Sequence, residues 1–188
     1  MTPGLPRTVA AAAQRAGAAG FPYSCEPAVG RLLAVLAACV PPGGRILELG
    51  TGTGVGTAWL ASGLLPRTDV TVTTVESDPA TADLAAGGSW PDFVDLRRGD
   101  ALEALRPATF ALIFADAPAG KWFGLDRTVT ALRPGGVLVV DDMTPTAAWP
   151  PEQHTHQRAV RATVLDDPRL VSVELDHGSG VILSTRRG

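Results

Sequence analysis

Short apolar runs alternate with segments of helical spacing along most of this chain, and that alternation constrains the fold more than any other feature. The runs are RILELG (45–50), VTVTTVE (70–76), DFVDLRRG (92–99), FALIFAD (110–116) and VLVVDD (137–142). Between them lie VGTAWLASGLL, DPATADLAAG, DALEALR and GLDRTVTALRPGG, the last expected to end as a helix at Pro134 and Gly135. Runs apolar on both faces suit parallel strands covered by helices on both sides. The tail departs from the pattern. After a helical HQRAVRATVLDD, the runs RLVSVELD and GVILSTRR are separated only by HGSG. So short a link joins antiparallel strands only, because a parallel crossover needs a dozen residues or more. The expectation is α/β: a doubly wound, mostly parallel seven-stranded sheet with a C-terminal antiparallel β-hairpin, preceded by N-terminal helices.

The chain has 188 residues, enough for one domain (1–188), read as a helical extension over 1–40 and a core over 45–188. With 45% hydrophobic and 19% charged residues the composition is that of a globular protein. No apolar run approaches the roughly 20 residues that span a bilayer, and no signal peptide is recognisable, so a cytoplasmic protein without a membrane partner is expected. Cys25 and Cys39 are too few for a disulfide framework and read as reduced thiols. A net charge of −3 without a basic stripe argues against a nucleic-acid partner. The Ala, Arg, Gly and Pro bias suggests a GC-rich bacterial source.

ELGTGTGVG (48–56) lies between the first strand and the helix after it. Glycines there permit positive φ and close approach of a ligand to the backbone. In open α/β sheets, ligands bind at this carboxyl edge. The dinucleotide fingerprint G-x-G-x-x-G fails in both registers: its third glycine would fall on Val55 or on Thr57.

The E-x-G-x-G-x-G of this loop, with the terminal hairpin, resembles class I S-adenosylmethionine (SAM)-dependent methyltransferases, a Rossmann-like family, over residues 22–188. The resemblance places Glu48 near the amino-acid end of SAM, with Gly50, Thr51, Gly52 and Gly54 along the backbone wall beside it. It gives Glu76, followed by Ser77, the ribose hydroxyls, and Asp100 and Ala101 the adenine. YSCEPAVG (23–30) matches the segment that packs on the methionine part, through Tyr23 and Ser24. Taken singly, Glu76 also reads as a solvated strand end and Asp100 as a helix N-cap.

The chain has a single lysine, Lys121, in FADAPAGKW, five residues after Asp116. An ammonium is a compact charge whose pKa moves readily, unlike a guanidinium. A phenol of pKa about 10 is only about one part in a thousand ionised at pH 7, so holding it ionised is worth about 4 kcal/mol. Positive charge beside the oxygen supplies that, from a metal or an ammonium. Asp116 ends the fourth strand and Asp141 and Asp142 the fifth. Oxygen ligation with an open side suits Mg²⁺ or another divalent cation.

This set resembles the catechol and caffeoyl-coenzyme A type O-methyltransferases, in a bacterial branch. The resemblance makes Asp116, Asp141 and Asp142 metal ligands and Lys121 the base, with Asp116 also beside the cofactor. Two departures stand out: Asp142 replaces the family's Asn, and Lys121 follows its Asp by five residues rather than three. Alternation would send Asp141 and Asp142 to opposite faces unless the strand has curled. Without a metal, Asp141 closes the site as an acceptor and Asp142 faces water.

The implied activity is direct in-line methyl transfer to a small hydroxylated, catechol-like acceptor. Metal-independent transfer to nitrogen or a carboxylate, and a silent SAM-binding module, use the same cofactor residues. MTPTAAWPP (143–151) is expected to shape the acceptor pocket, with Trp149 and Trp122 as an aromatic wall. His154 and His156, two apart, are wrongly spaced for one-face ligation, and His177 reads as exposed in the hairpin link. Family members often dimerise through N-terminal helices, so a homodimer is implied by the resemblance alone.

Overall fold

A computed structural model describes residues 4–188. Its centre is a seven-stranded sheet in the order β3-β2-β1-β4-β5-β7-β6. The strands are β1 (Arg45–Leu49), β2 (Thr71–Glu76), β3 (Val94–Arg98), β4 (Phe110–Ala115), β5 (Leu132–Val140), β6 (Leu170–Leu175) and β7 (Val181–Arg186). The first five are parallel, and β7 pairs antiparallel with both β5 and β6. The expected fold class is the one observed.

Alternating side chains explain why the strand runs look apolar throughout. Ile46, Val72, Leu112, Phe114, Val139 and Val181 face one core, packed against α1 (Arg7–Ala18), α2 (Pro27–Ala38) and α3 (Val55–Leu64). Leu47, Val75, Ile113, Leu138, Val140 and Ile182 face the other, against α6 (Leu125–Ala131) and α7 (Pro151–Asp166). Between β2 and β3 runs α4 (Pro79–Ala86), and a 3₁₀ turn, η1 (Ala101–Ala104), precedes β4. Asp78 caps α4 by accepting from the Thr81 amide at 2.8 Å. Among the described residues no helix is long and apolar enough to cross a membrane.

Two boundaries differ from expectation. The segment 124–136 is helical only to Ala131, and β5 begins at Leu132. Leu132 is fully buried opposite Phe110, and a bulge follows before Val137 meets Leu112, turned by Gly135 at φ 72°. Tertiary pairing of Leu132 overrides the local stop signal. The last helix begins at Pro151, five residues before the expected start, because proline is suited to the first helical position.

Candidate active site

The chain reverses direction across the sheet between β1 and β4, and a cavity of about 1010 Å³ opens at the carboxyl ends of these strands. The β1–α3 loop forms its floor. Gly50, Gly52 and Gly54 all have positive φ, at 98°, 54° and 90°, which glycine accepts without strain. Gly50 also lies against the segment that follows β4: a Cβ there would sit 2.9 Å from Ala117 Cβ. Gly50, Thr51 and Gly52 line the cavity together with Thr53, Val55 and Gly56. Gly54 does not. It is the N-cap of α3, and a Cβ on it would lie 2.7 Å from the Trp90 ring. Its glycine is required by the packing behind the loop.

Glu48 is buried and accepts from Thr74 Oγ1 at 2.6 Å and from Thr57 Oγ1, while Thr74 Oγ1 pairs with Thr51 Oγ1 at 2.6 Å. Burial raises its pKa from 4.5 to about 7 against the pull of the two hydroxyls, with Glu76 adding repulsion. A Cβ on Gly56 would collide with Glu48 Oε1, so α3 approaches β1 closely only with glycine there. The Glu76 carboxylate, at the end of β2, accepts from the Gly52 amide at 2.9 Å and the Asp78 amide at 3.0 Å. It thus braces the glycine loop as well as facing the cavity. Ser77, Asp100 and Ala101 line the same wall, and Asp100 also accepts from the Leu102 amide at 2.9 Å. Asp100 is thus the N-cap of η1 and a residue of the cavity wall at once. Tyr23 and Ser24 close the opposite side, with the Tyr23 ring edge-on to Phe21 at 5.8 Å.

At the far end stand Asp116, Lys121, Asp141 and Asp142. Lys121 is delivered by α5 (Pro118–Lys121), a single turn broken by Gly120 at φ 88°. The Gly120 carbonyl accepts from Thr128 Oγ1 at 2.7 Å, and a Cβ on Gly120 would collide with Leu49 Cδ1. The Lys121 side chain is 3% exposed; its Nζ lies 3.1 Å from Asp142 Oδ2 and 3.8 Å from Asp116 Oδ1. It also donates to the Asp141 carbonyl at 3.4 Å. Burial pulls the ammonium down, but Asp116, Asp142 and Asp141 together outweigh it, and the net shift is upward. The sequence suggested a titratable amine beside the acceptor oxygen; the structure pairs that amine with Asp142 and Asp116.

Two of the surrounding carboxyls, Asp116 and Asp141, are shifted as well. Burial pushes Asp116 well up, with Lys121 opposing and Asp141 and Asp142 adding to the rise. Burial also raises Asp141, against the Ser179 hydroxyl that it accepts from. Asp142 adopts φ 60°, so the chain has left the extended path there and its side chain turns back toward Lys121. The curl needed to bring both aspartates to one site is present. What they meet is the lysine: among the described residues no group of three or more His, Cys, Asp or Glu side chains is placed to hold a metal ion. The donor set does not fit a divalent cation while the ammonium stands between Asp116 and Asp142.

The acceptor side differs from expectation. Trp122, Phe123 and Gln153 line the cavity, but no residue of 143–151 does. Trp149 instead tilts against His154 at 5.7 Å. Trp122 stacks on His156 at 4.8 Å, the two rings nearly parallel. His177 is exposed but tied down, its Nε2 lying 2.9 Å from the Ala28 carbonyl, and the adjacent Ser179 reaches into the site. The hairpin link is therefore a site element, for which HGSG offered no signal beyond turn chemistry. Nothing in the sequence marked Thr57 and Thr74, the partners of Glu48, since a buried threonine inside an apolar run reads as core.

The cavity wall carries eight acidic residues against one basic one. That charge suits a cationic sulfonium nucleoside and repels a pyrophosphate. This sheet order, glycine loop and acidic strand ends define the SAM-dependent methyltransferase class.

The comparisons agree. A family profile described as a methyltransferase domain matches residues 47–143. A Mycolicibacterium vanbaalenii protein provisionally named an O-methyltransferase is 33% identical, over 95% of this chain and 83% of its own length. The O-methyltransferase TomG from Streptomyces achromogenes, involved in tomaymycin synthesis and solved with SAM, is 26% identical with a TM-score of 0.78. The match covers all of this chain and 93% of TomG. A Bacillus cereus O-methyltransferase solved with S-adenosylhomocysteine (SAH) shares the fold, with a TM-score of 0.81 at 24% identity over all of this chain and 94% of the other. The chain belongs to this methyltransferase family.

Proposed function

We propose that this SAM-dependent O-methyltransferase methylates a small aromatic hydroxyl compound, with the Lys121 ammonium as the resident cation of the reaction. The observation that carries the reading is Lys121 Nζ, buried between Asp116 and Asp142 at the cavity end flanked by Trp122 and Phe123. When bound, SAM supplies the methyl group on an electrophilic sulfonium. Glu48, Glu76, Asp100 and the backbone of residues 50–53 hold the cofactor. Trp122 and Phe123 offer flat apolar faces to an acceptor ring. Lys121 stabilises charge developing on the acceptor oxygen. The half-exposed Asp142 carboxylate, already beside that ammonium, receives the hydroxyl proton. Asp116 and Asp141 keep the ammonium charged, so Lys121 acts by its field and no step passes through a metal.

The test is an acceptor screen of phenols and catechols with methyl-labelled SAM, with and without chelator, on the wild type and Lys121→Met. Chelation should leave turnover unchanged. Lys121→Met should lower kcat about 100- to 1000-fold, the cost of losing one group aimed at a developing oxyanion, while SAH affinity stays within about threefold. Chelator-sensitive turnover restored by Mg²⁺, or full activity in Lys121→Met, would refute the assignment.

A further inference from the structure

Among the described residues only Ala108 and Asp142 have positive φ without being glycine, and Asp142 is the one at the active site. A residue held in that region persists only where its surroundings over-determine it. Here the Asp142 amide donates at 2.7 Å to Oδ1 of the preceding Asp141, and that same oxygen accepts from the Ser179 hydroxyl. Ser179 belongs to the link between β6 and β7 and lines the cavity. Its carbonyl accepts from the Thr144 amide at 2.9 Å, and the Gly180 carbonyl accepts from the Met143 amide at 2.9 Å. In the same link His177 Nε2 lies 2.9 Å from the Ala28 carbonyl of α2. The Ser179 hydroxyl is thus presented by a segment tied both to α2 and to the stretch that follows β5.

We infer that Ser179 is a positioning residue for methyl transfer: its hydroxyl locks the Asp141 carboxyl against the Asp142 amide and so holds the turn that delivers the Asp142 carboxylate to Lys121. The inference rests on the reading of Asp142 and Lys121 as the groups that act on the acceptor hydroxyl. With Ser179 in place, Asp141 Oδ1 is fixed where it meets both donors. Without it the carboxyl is free to rotate, and left-handed Asp142 loses the local hydrogen bond that supports it. The carboxylate at stake stands 3.1 Å from Lys121 Nζ. A displacement of about 1 Å at such a pair is enough to slow a reaction by up to about 100-fold. The hairpin link then serves the chemical step through the backbone of Asp142.

Lys121 is the only lysine of the chain, so protein made with isotope-labelled lysine gives a single side-chain resonance that reports its pairing. In the ligand-free protein Ser179→Ala should move that resonance toward its position in Asp142→Asn. Ser179→Thr, which keeps the hydroxyl, should leave it near wild type. With catechol as the acceptor, Ser179→Ala should lower kcat about tenfold, roughly one hydrogen bond, with KM and SAH affinity within about twofold. Asp142→Asn should lower kcat about 100-fold, the worth of a positioned base. Adding Ser179→Ala to that variant should then cost less than about twofold more, because the two act as one unit. Ser172→Ala, which removes a hydroxyl bonded to Ser184 at 2.8 Å in the same hairpin, is the control and should turn over normally. If Ser179→Ala does not fold, Ser179→Cys, similar in shape but a weak donor, takes its place. If catechol is not methylated, the lysine resonance decides alone. An unmoved resonance in Ser179→Ala, kcat within about twofold of wild type, a Ser179→Thr no better than Ser179→Ala, or an equal loss in the Asp142→Asn background would overturn the inference. Wild-type turnover in Asp142→Asn would instead overturn the reading beneath it.

Discussion

Glu48 is a fully buried acid whose hydrogen-bond donors are the hydroxyls of Thr57 and Thr74, and its titration should be legible in the stability of the cofactor-free protein. Burial moves its pKa from 4.5 to about 7. Below about 4.5 the folded and unfolded chains both hold the proton, and the group leaves stability unchanged. Between that value and about 7 the unfolded chain releases the proton first, so stability falls as pH rises. Above about 7 the loss is complete, and at about 1.4 kcal/mol per unit it amounts to about 3 kcal/mol. Glu48→Gln keeps the volume and removes the titration. Its amide must donate to one threonine hydroxyl, which can reverse direction to accept, so its own cost is about 1 kcal/mol and independent of pH. Urea unfolding of wild type and variant, compared from about pH 5 to about pH 8, should show the difference swing by about 2 to 3 kcal/mol in favour of Gln. For a domain of this size that is about 5 to 10 °C in melting temperature. Asp141 titrates in both proteins and cancels in the difference, while Asp116, which the Glu48 charge helps to push up, is pushed up less in the variant. Parallel curves would show that Glu48 is ionised throughout, and the account of its burial would fail.

Two further outcomes follow from geometry. Gly120→Ala places a Cβ at positive φ against Leu49, so it should cost about 2 to 5 kcal/mol in denaturant unfolding. In any folded fraction it should also cut kcat by misplacing Lys121. Trp122→Ala removes a cavity wall and should raise the acceptor KM about tenfold with SAH affinity unchanged, whereas Trp149→Ala, whose ring leans on His154, should not; equal effects of the two would refute the placement of the acceptor.

The sheet, its hairpin and the glycine loop were legible in the linear order of residues because each is a local matter. Side-chain period, turn length and glycine's access to positive φ act over a few residues, and strand runs such as 110–116 and 137–142 carried them unambiguously. The grouping of Gly50, Glu76 and Asp100 on one cavity wall followed, since these residues sit at strand ends whose place in this sheet is set by topology. Charge, pairing and distance were decided elsewhere. That Lys121 is an ion-paired ammonium depends on the turn at Gly120, the φ of Asp142 and the burial of Asp116, brought together by three separate segments. That Trp122 and not Trp149 reaches the cavity, that Leu132 joins β5, and that Ser179 meets Asp141 from 38 residues away are likewise consequences of packing. Electrostatic energy and close contact depend on separation in space, which the order of residues along a chain does not encode one position at a time.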